Sequence, residues 1–177
     1  MNIAFTMAPG RGDTDLFLYA LAQDLAARGY RTCGTVQKNT ACDDRRCDMD
    51  IKILPDGPVL RISQSLGRDA RGCRLDPSAL ETAVGLAAAR LGEGADVLIV
   101  NKFGKHEVDG RGFRGVIAEA LAMDIPVIVG LNSMNAEAFH TFTGGCAVQL
   151  KPDRKDILAW LEGLGSGSDV PQAAERG

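Results

Sequence analysis

The chain has 177 residues, 45% of them apolar and 24% charged, with a net charge of −3 at neutral pH, values that suit one globular domain with a substantial core. The slight acidic balance leaves no basic footprint and argues against nucleic acid as a principal partner. No basic-then-apolar signal pattern opens the chain and no apolar run approaches the ~20 residues that span a bilayer, so a cytoplasmic protein with no membrane partner is expected.

The first elements read as strand, glycine loop and helix. An apolar run from Ile3 to Met7 enters Ala8-Pro9-Gly10-Arg11-Gly12-Asp13-Thr14, and a periodic segment follows in which Leu18, Leu21 and Leu25, with Phe17 beside them, recur at helical spacing before Gly29. Such a junction points loop amides and a helix N-terminus at an anion. Tyr30 to Val36 reads as a second strand, and the polar stretch from Gln37 to Arg46 as a lid or a mobile loop. Met49–Leu54 and Val59–Ile62, separated by Pro55-Asp56-Gly57-Pro58, read as a hairpin inserted into the series.

Gln64 to Leu75 carries glycine and arginine with too little apolar periodicity for an element. Asp76 then predicts a cap with Pro77 in the first helical position and Leu80, Val84, Ala87 and Leu91 along one face. Val97–Val100 has the continuous apolar pattern of a strand buried on both faces, and Asn101-Lys102-Phe103-Gly104-Lys105-His106-Glu107 sits past its carboxyl end, where open parallel sheets bind ligands. Helical spacing resumes over 112–123, Ile125–Gly130 is another buried strand followed by Asn132 and Ser133, and Asn135–Phe142 is a short helix. Ala147–Leu150 is a last strand and Ile157, Leu158, Leu161 and Leu164 mark a last helix. The expectation is a single α/β domain over 1–164, a largely parallel sheet flanked by helices on both faces with an inserted β-hairpin, and a disordered tail over 165–177. The crossover rule is expected to bring the carboxyl ends of the first and fifth strands, and their polar clusters, together.

A working P-loop reads G-x4-G-K-[ST], with a lysine for the β and γ phosphates and a hydroxyl for magnesium. On that frame Gly12 and Thr14 match, Met7 replaces the first glycine and Asp13 replaces the lysine, roughly a two-charge change against a triphosphate. Ordinary ATP hydrolysis is therefore not expected. Gly10 and Gly12 still free the amides, with Arg11 as a forked donor and Thr14 as a hydroxyl; alternatively, Asp13 caps the helix and the glycines make the turn.

Phosphate-cleaving relatives of this layout end the facing strand in acids that organise magnesium, whereas this chain has Asn101 and Lys102 there. Lys102 is a candidate to replace the loop lysine and to pair with Asp13, or else a solvated lysine. Glu107 is a candidate to position or deprotonate water. His106 reads as a surface residue and His140 as structural. The five cysteines, at 33, 42, 47, 73 and 146, are odd in number and read as thiols. Cys42 and Cys47 are spaced more widely than a CxxC pair.

The path from Gly12-Asp13-Thr14 through Arg71-Gly72-Cys73-Arg74-Leu75-Asp76 to Asn101-Lys102-Phe103-Gly104-Lys105-His106-Glu107 resembles a bacterial family of uncharacterised small proteins, a domain of unknown function associated with molybdenum-related genes. That family is similar to the thermophile-type P-loop nucleoside triphosphatases, and the resemblance spans roughly residues 1 to 150. It implies a P-loop-NTPase-like fold, with Gly104, Lys105 and Glu107 in a Gly-Lys-x-Glu continuation and Asp76 before a helix. Asp13 and Asn101-Lys102 depart at the loop lysine and the paired acids.

Molybdate is a phosphate-like tetrahedral dianion that such a loop can bind through amides. Arg61, Arg68, Arg71 and Arg74 could close over it, or pair instead with Asp69, Asp76 and the acidic surface. Cys73 among those arginines would be a lowered-pKa thiol and a soft ligand, with Cys42 and Cys47 as companions. The leading expectation is a non-hydrolysing binding protein for an oxyanion or a nucleotide in molybdenum or cofactor supply, taking magnesium with nucleotide or molybdate, with a protein partner or a homo-oligomer as further options. The alternatives are a slow nucleoside triphosphatase and a cysteine-based metal-binding protein.

Overall fold

The computed structural model describes residues 1–43, 46–67 and 74–165, and of residues 40–43 and 46–47 the backbone alone. In chain order the elements are β1 (Ile3–Thr6), α1 (Asp13–Ala27), β2 (Thr32–Asp43), β3 (Arg46–Ile53), β4 (Val59–Arg61), α2 (Pro77–Gly92) and β5 (Val97–Val100). There follow α3 (Lys105–Val108), α4 (Arg114–Ala122), β6 (Val127–Gly130), a 3-10 turn (Ser133–Asn135), α5 (Ala136–Thr143), β7 (Val148–Leu150) and α6 (Arg154–Gly165). The strands form one sheet in the order β4-β3-β2-β5-β6-β1-β7. From β2 to β7 every pair is parallel, while β3 and β4 add antiparallel strands at one edge.

Period-two alternation along the parallel strands divides the core. Leu98, Val100, Val127 and Val129 face one side with Leu80, Ala83, Ala87 and Leu91 of α2 and Ile117 of α4. Val97, Ile99 and Ile128 face the other with Leu18, Leu21 and Leu25 of α1 and Ile157 and Leu161 of α6. β5 and β6 are therefore buried on both faces, as their unbroken apolar runs require. α2 starts as its sequence predicts: the Asp76 carboxylate accepts the amides of Ser78 and Ala79, and Pro77 follows.

Two expectations need correction. The polar stretch from Gln37 is no lid: it is the outer half of β2, paired Gln37 to Ile51, Lys38 to Asp50 and Asn39 to Met49. The hairpin of β3 and β4 is present, but β2 extends it into a three-stranded ribbon. The carboxyl ends of the first and fifth strands share one edge of the sheet, as expected, with β6 lying between β1 and β5.

Gly130, the last residue of β6, lets the two sides meet across that gap. A Cβ there would lie 2.0 Å from the Asn101 carbonyl oxygen and 2.9 Å from Leu18 of α1. No helix among the described residues is long and apolar enough to cross a membrane. The tail expected to be disordered lies, beyond Gly165, outside the described residues.

Candidate functional site

β1, β2, β5 and β6 all point their carboxyl ends at one edge of the sheet. After β1 the chain turns through Gly10 and Gly12, and Gly12 takes the left-handed φ of 81° that spares a side chain. Gly12 is the N-cap of α1, so Asp13 is the first helical residue and makes no capping bond. Its carboxylate lies back over Gly10, where an added Cβ would stand 2.1 Å from Oδ2. The Thr14 hydroxyl accepts the Ala8 amide at 2.9 Å and closes the loop on itself. Arg11 is exposed at the tip.

The loop and the end of β5 are joined through Asp15, a residue that the motif reading missed, and its partner is the candidate Asn101. Asn101 is 5% exposed; its Oδ1 accepts the Gln37 amide at 2.9 Å, and its Nδ2 donates to Asp15 Oδ1 at 2.8 Å. The backbone donor settles which end of the amide faces which partner. Asp15 thus connects the first turn of α1 to β5, while Gln37 and Asn39, bonded to each other at 2.8 Å, flank it from β2. The only signal in the sequence is a second acid two residues past Asp13. Directly below the loop Thr6, the last residue of β1, is fully buried with a hydroxyl that has no hydrogen-bond partner.

Lys102 is exposed and, among the described residues, forms no ion pair with Asp13 or any other acid. The expected pairing of Lys102 with Asp13 is therefore not made. Glu107 is 3% exposed, with Oε2 accepting the Gly104 amide at 2.9 Å and Oε1 accepting the Phe113 amide at 3.1 Å. Both oxygens accept backbone donors, so the carboxylate staples the segment 104–113. Gly112 has φ 61° and no room for a side chain beside Glu107 Oε1. His106, expected on the surface, is buried, with Nε2 3.0 Å from Glu81 Oε1, the oxygen that also accepts the Gly112 amide. Phe103 anchors the same segment between Phe139 and Phe142, with the Arg114 guanidinium over Phe142. Gly104 caps α3, and Lys105 opens it, exposed.

If Glu107 is structural, Glu107→Gln leaves one buried amide facing an NH2 donor. The variant is expected to lose about 1–3 kcal/mol of stability in urea unfolding. An unchanged unfolding midpoint would refute this assignment.

β4 runs in the direction of β2, so the arginine loop leaves the sheet at the same edge. Arg61 pairs with Asp48 and Asp50 at 3.0 Å each, and Arg74 reaches Asp48 at 3.4 Å. Those two arginines thus pair with acids of β3, while Asp76 is spent on its cap. Arg68, Arg71 and Cys73 lie outside the described residues, as do the side chains of Cys42 and Cys47. Among the described residues no cluster of three metal-ligating side chains occurs. Cys33 is a packing residue: its thiol donates to the Ala87 carbonyl, and burial pushes its pKa up to about 11. His140 is exposed on α5. A cleft of about 760 Å3 opens at the opposite edge, beside Asn2, Tyr30, Asp96 and Pro126, remote from the loop.

A family model described as a protein of unknown function, DUF2478, matches residues 3–160. The molybdenum import ATP-binding protein ModC 2 of Bradyrhizobium diazoefficiens is 37% identical over 161 residues, which are 90% of this chain and 18% of that protein. The chain thus spans less than a fifth of that curated relative. THEP1 from the hyperthermophile Aquifex aeolicus superposes with a TM-score of 0.62 at 18% identity, over 93% of this chain and 96% of that one. A human cancer-related nucleoside triphosphatase superposes with a TM-score of 0.61 at 14% identity, over 99% and 100%. At those identities the likeness establishes the fold, which is P-loop-NTPase-like.

Proposed function

The chain belongs to the family of proteins of unknown function DUF2478, and from that premise we propose that it is a non-hydrolysing binding protein on a degenerate P-loop, taking a nucleotide or a tetrahedral oxyanion in molybdenum supply. One observation carries the non-hydrolysing part of this reading. The two side chains that a hydrolase would use beyond β5 are occupied internally, Asn101 by Gln37 and Asp15, and Glu107 by two backbone amides.

Magnesium fits the site poorly for the same reason. The strand end that would hold the ion carries an uncharged amide whose oxygen is already accepting, and the Thr14 hydroxyl is engaged by Ala8. The binding part rests on the glycine loop, whose amides and helix N-terminus suit a tetrahedral anion. The molybdenum part rests on the relative named for molybdenum import, within whose longer chain a similar stretch occurs.

A second reading, slow nucleoside triphosphate hydrolysis, is favoured only by Lys102, exposed beyond β5 without an acid partner among the described residues. The deciding experiment is calorimetric titration of the reduced protein with magnesium-ATP and, separately, with molybdate. Heat with either ligand and no phosphate release over hours supports the proposal. Steady phosphate release from ATP that is lost in Lys102→Ala would replace it with the second reading, and silence with both ligands would refute both.

A further inference from the structure

A second recess lies away from the loop, between α1 and the ribbon. It has a volume of about 240 Å3. One wall is a single face of α1, on which Tyr19, Ala22, Gln23 and Ala26 recur at three- and four-residue spacing. The floor is β2, where Thr32 and Val36 share a face; Lys52 of β3 and Leu54 just beyond its end complete it. Small residues on the helix, Ala22 and Ala26, make the space.

Two polar groups in this recess lack the partners that packing normally supplies. Thr32 is 3% exposed, and its hydroxyl has no hydrogen-bond partner, which costs stability when nothing compensates it. Lys52 is half-buried and forms no ion pair among the described residues. They stand at opposite ends. Lys52 pairs across the ribbon with Val36, and Thr32 lies four residues back along β2, about 13 Å at strand rise. Between them the surface is aliphatic, from Val36, Leu54 and Ala22.

We propose that this recess is a second ligand site, for a short aliphatic carboxylate with a hydrogen-bonding group at its far end. The carboxylate sits on the Lys52 ammonium, the chain lies on Val36 and Leu54, and the far polar group meets the Thr32 hydroxyl after a rotation about its Cα–Cβ bond. The site is independent of the glycine loop, but it rests on the same helix, α1, whose first turn carries Asp13 and Asp15.

The test is an amide chemical-shift titration of the full chain with 6-hydroxyhexanoate, with 1-hexanol as the uncharged control. Saturable shifts at Thr32, Gly34, Lys52 and Leu54 are expected, at least fivefold weaker in Lys52→Gln and at least twofold weaker in Thr32→Val. Both variants are expected to fold, because one alters a half-exposed side chain and the other removes an unsatisfied hydroxyl at nearly constant shape. Absence of saturable shifts, equal response to hexanol, or shifts indifferent to Lys52→Gln would overturn the site. None of these outcomes depends on whether the loop binds ATP or molybdate.

Discussion

Asp13→Lys is expected to tighten magnesium-ATP binding at least tenfold over the natural chain, without producing fast hydrolysis. Asp13 is the first residue of α1, at the helix end where backbone amides already favour an anion. Its carboxylate lies over Gly10, within the turn that a phosphate would occupy. Changing it to lysine removes one negative charge and adds one positive charge there. At 4 Å and an effective dielectric constant near 20, each unit charge is worth roughly 4 kcal/mol.

Solvent and salt reduce that at an exposed loop, yet a tenfold gain needs only about 1.4 kcal/mol. The favourable contact of Asp13 with the helix end, about 0.3–1 kcal/mol, is lost in exchange, so the variant should be slightly less stable but folded. Hydrolysis should not follow, because Asn101 and Glu107 stay committed to their internal partners. Calorimetry on the pair of proteins decides the matter. Equal affinities would mean that the loop does not recognise phosphates at all, and rapid turnover would mean that the missing lysine was the sole obstacle to catalysis.

Gly34→Ala is expected to cost about 3 kcal/mol or more, or to prevent folding. Gly34 sits in β2 at φ 102° and is paired with Ile99 of β5; an added Cβ would lie 1.9 Å from the Ile99 carbonyl oxygen. That obstacle is backbone in the middle of a sheet buried on both faces, so relief requires parting β2 from β5 rather than turning a side chain. Positive φ adds a further ~1–2 kcal/mol for a residue with a side chain. Asn101 would also be separated from Gln37. Gly85 is the matched control: it lies exposed within α2 with nothing within 4 Å of a Cβ, and Gly85→Ala should stabilise by roughly 0.5–1 kcal/mol. Urea unfolding of both variants tests the contrast, and a well-folded Gly34→Ala protein with an unchanged midpoint would contradict the register described here.

The features that could be read in advance are those whose cause is local. Val97–Val100 and Val127–Val129 are buried strands because an unbroken run of apolar residues can be satisfied only between two layers. Asp76-Pro77 begins a helix because cap and ring act within three residues. The outer half of β2 was hidden for the opposite reason. Gln37-Lys38-Asn39 has no apolar alternation, and its strand conformation comes from pairing with β3. α3 is only four residues long and has no period to detect.

An α/β chain with a glycine loop after its first strand is legible in the residues alone, as are the lack of a lysine in that loop and of an acid at the end of β5. These are matters of residue identity and short-range spacing. Which polar residues are already engaged by internal partners is a matter of packing. Asn101 is held by an aspartate 86 positions away, and Glu107 is held by backbone amides. Every residue but proline carries such an amide, so no residue type in the sequence marks the ones that bind a given carboxylate; that depends on how the chain packs.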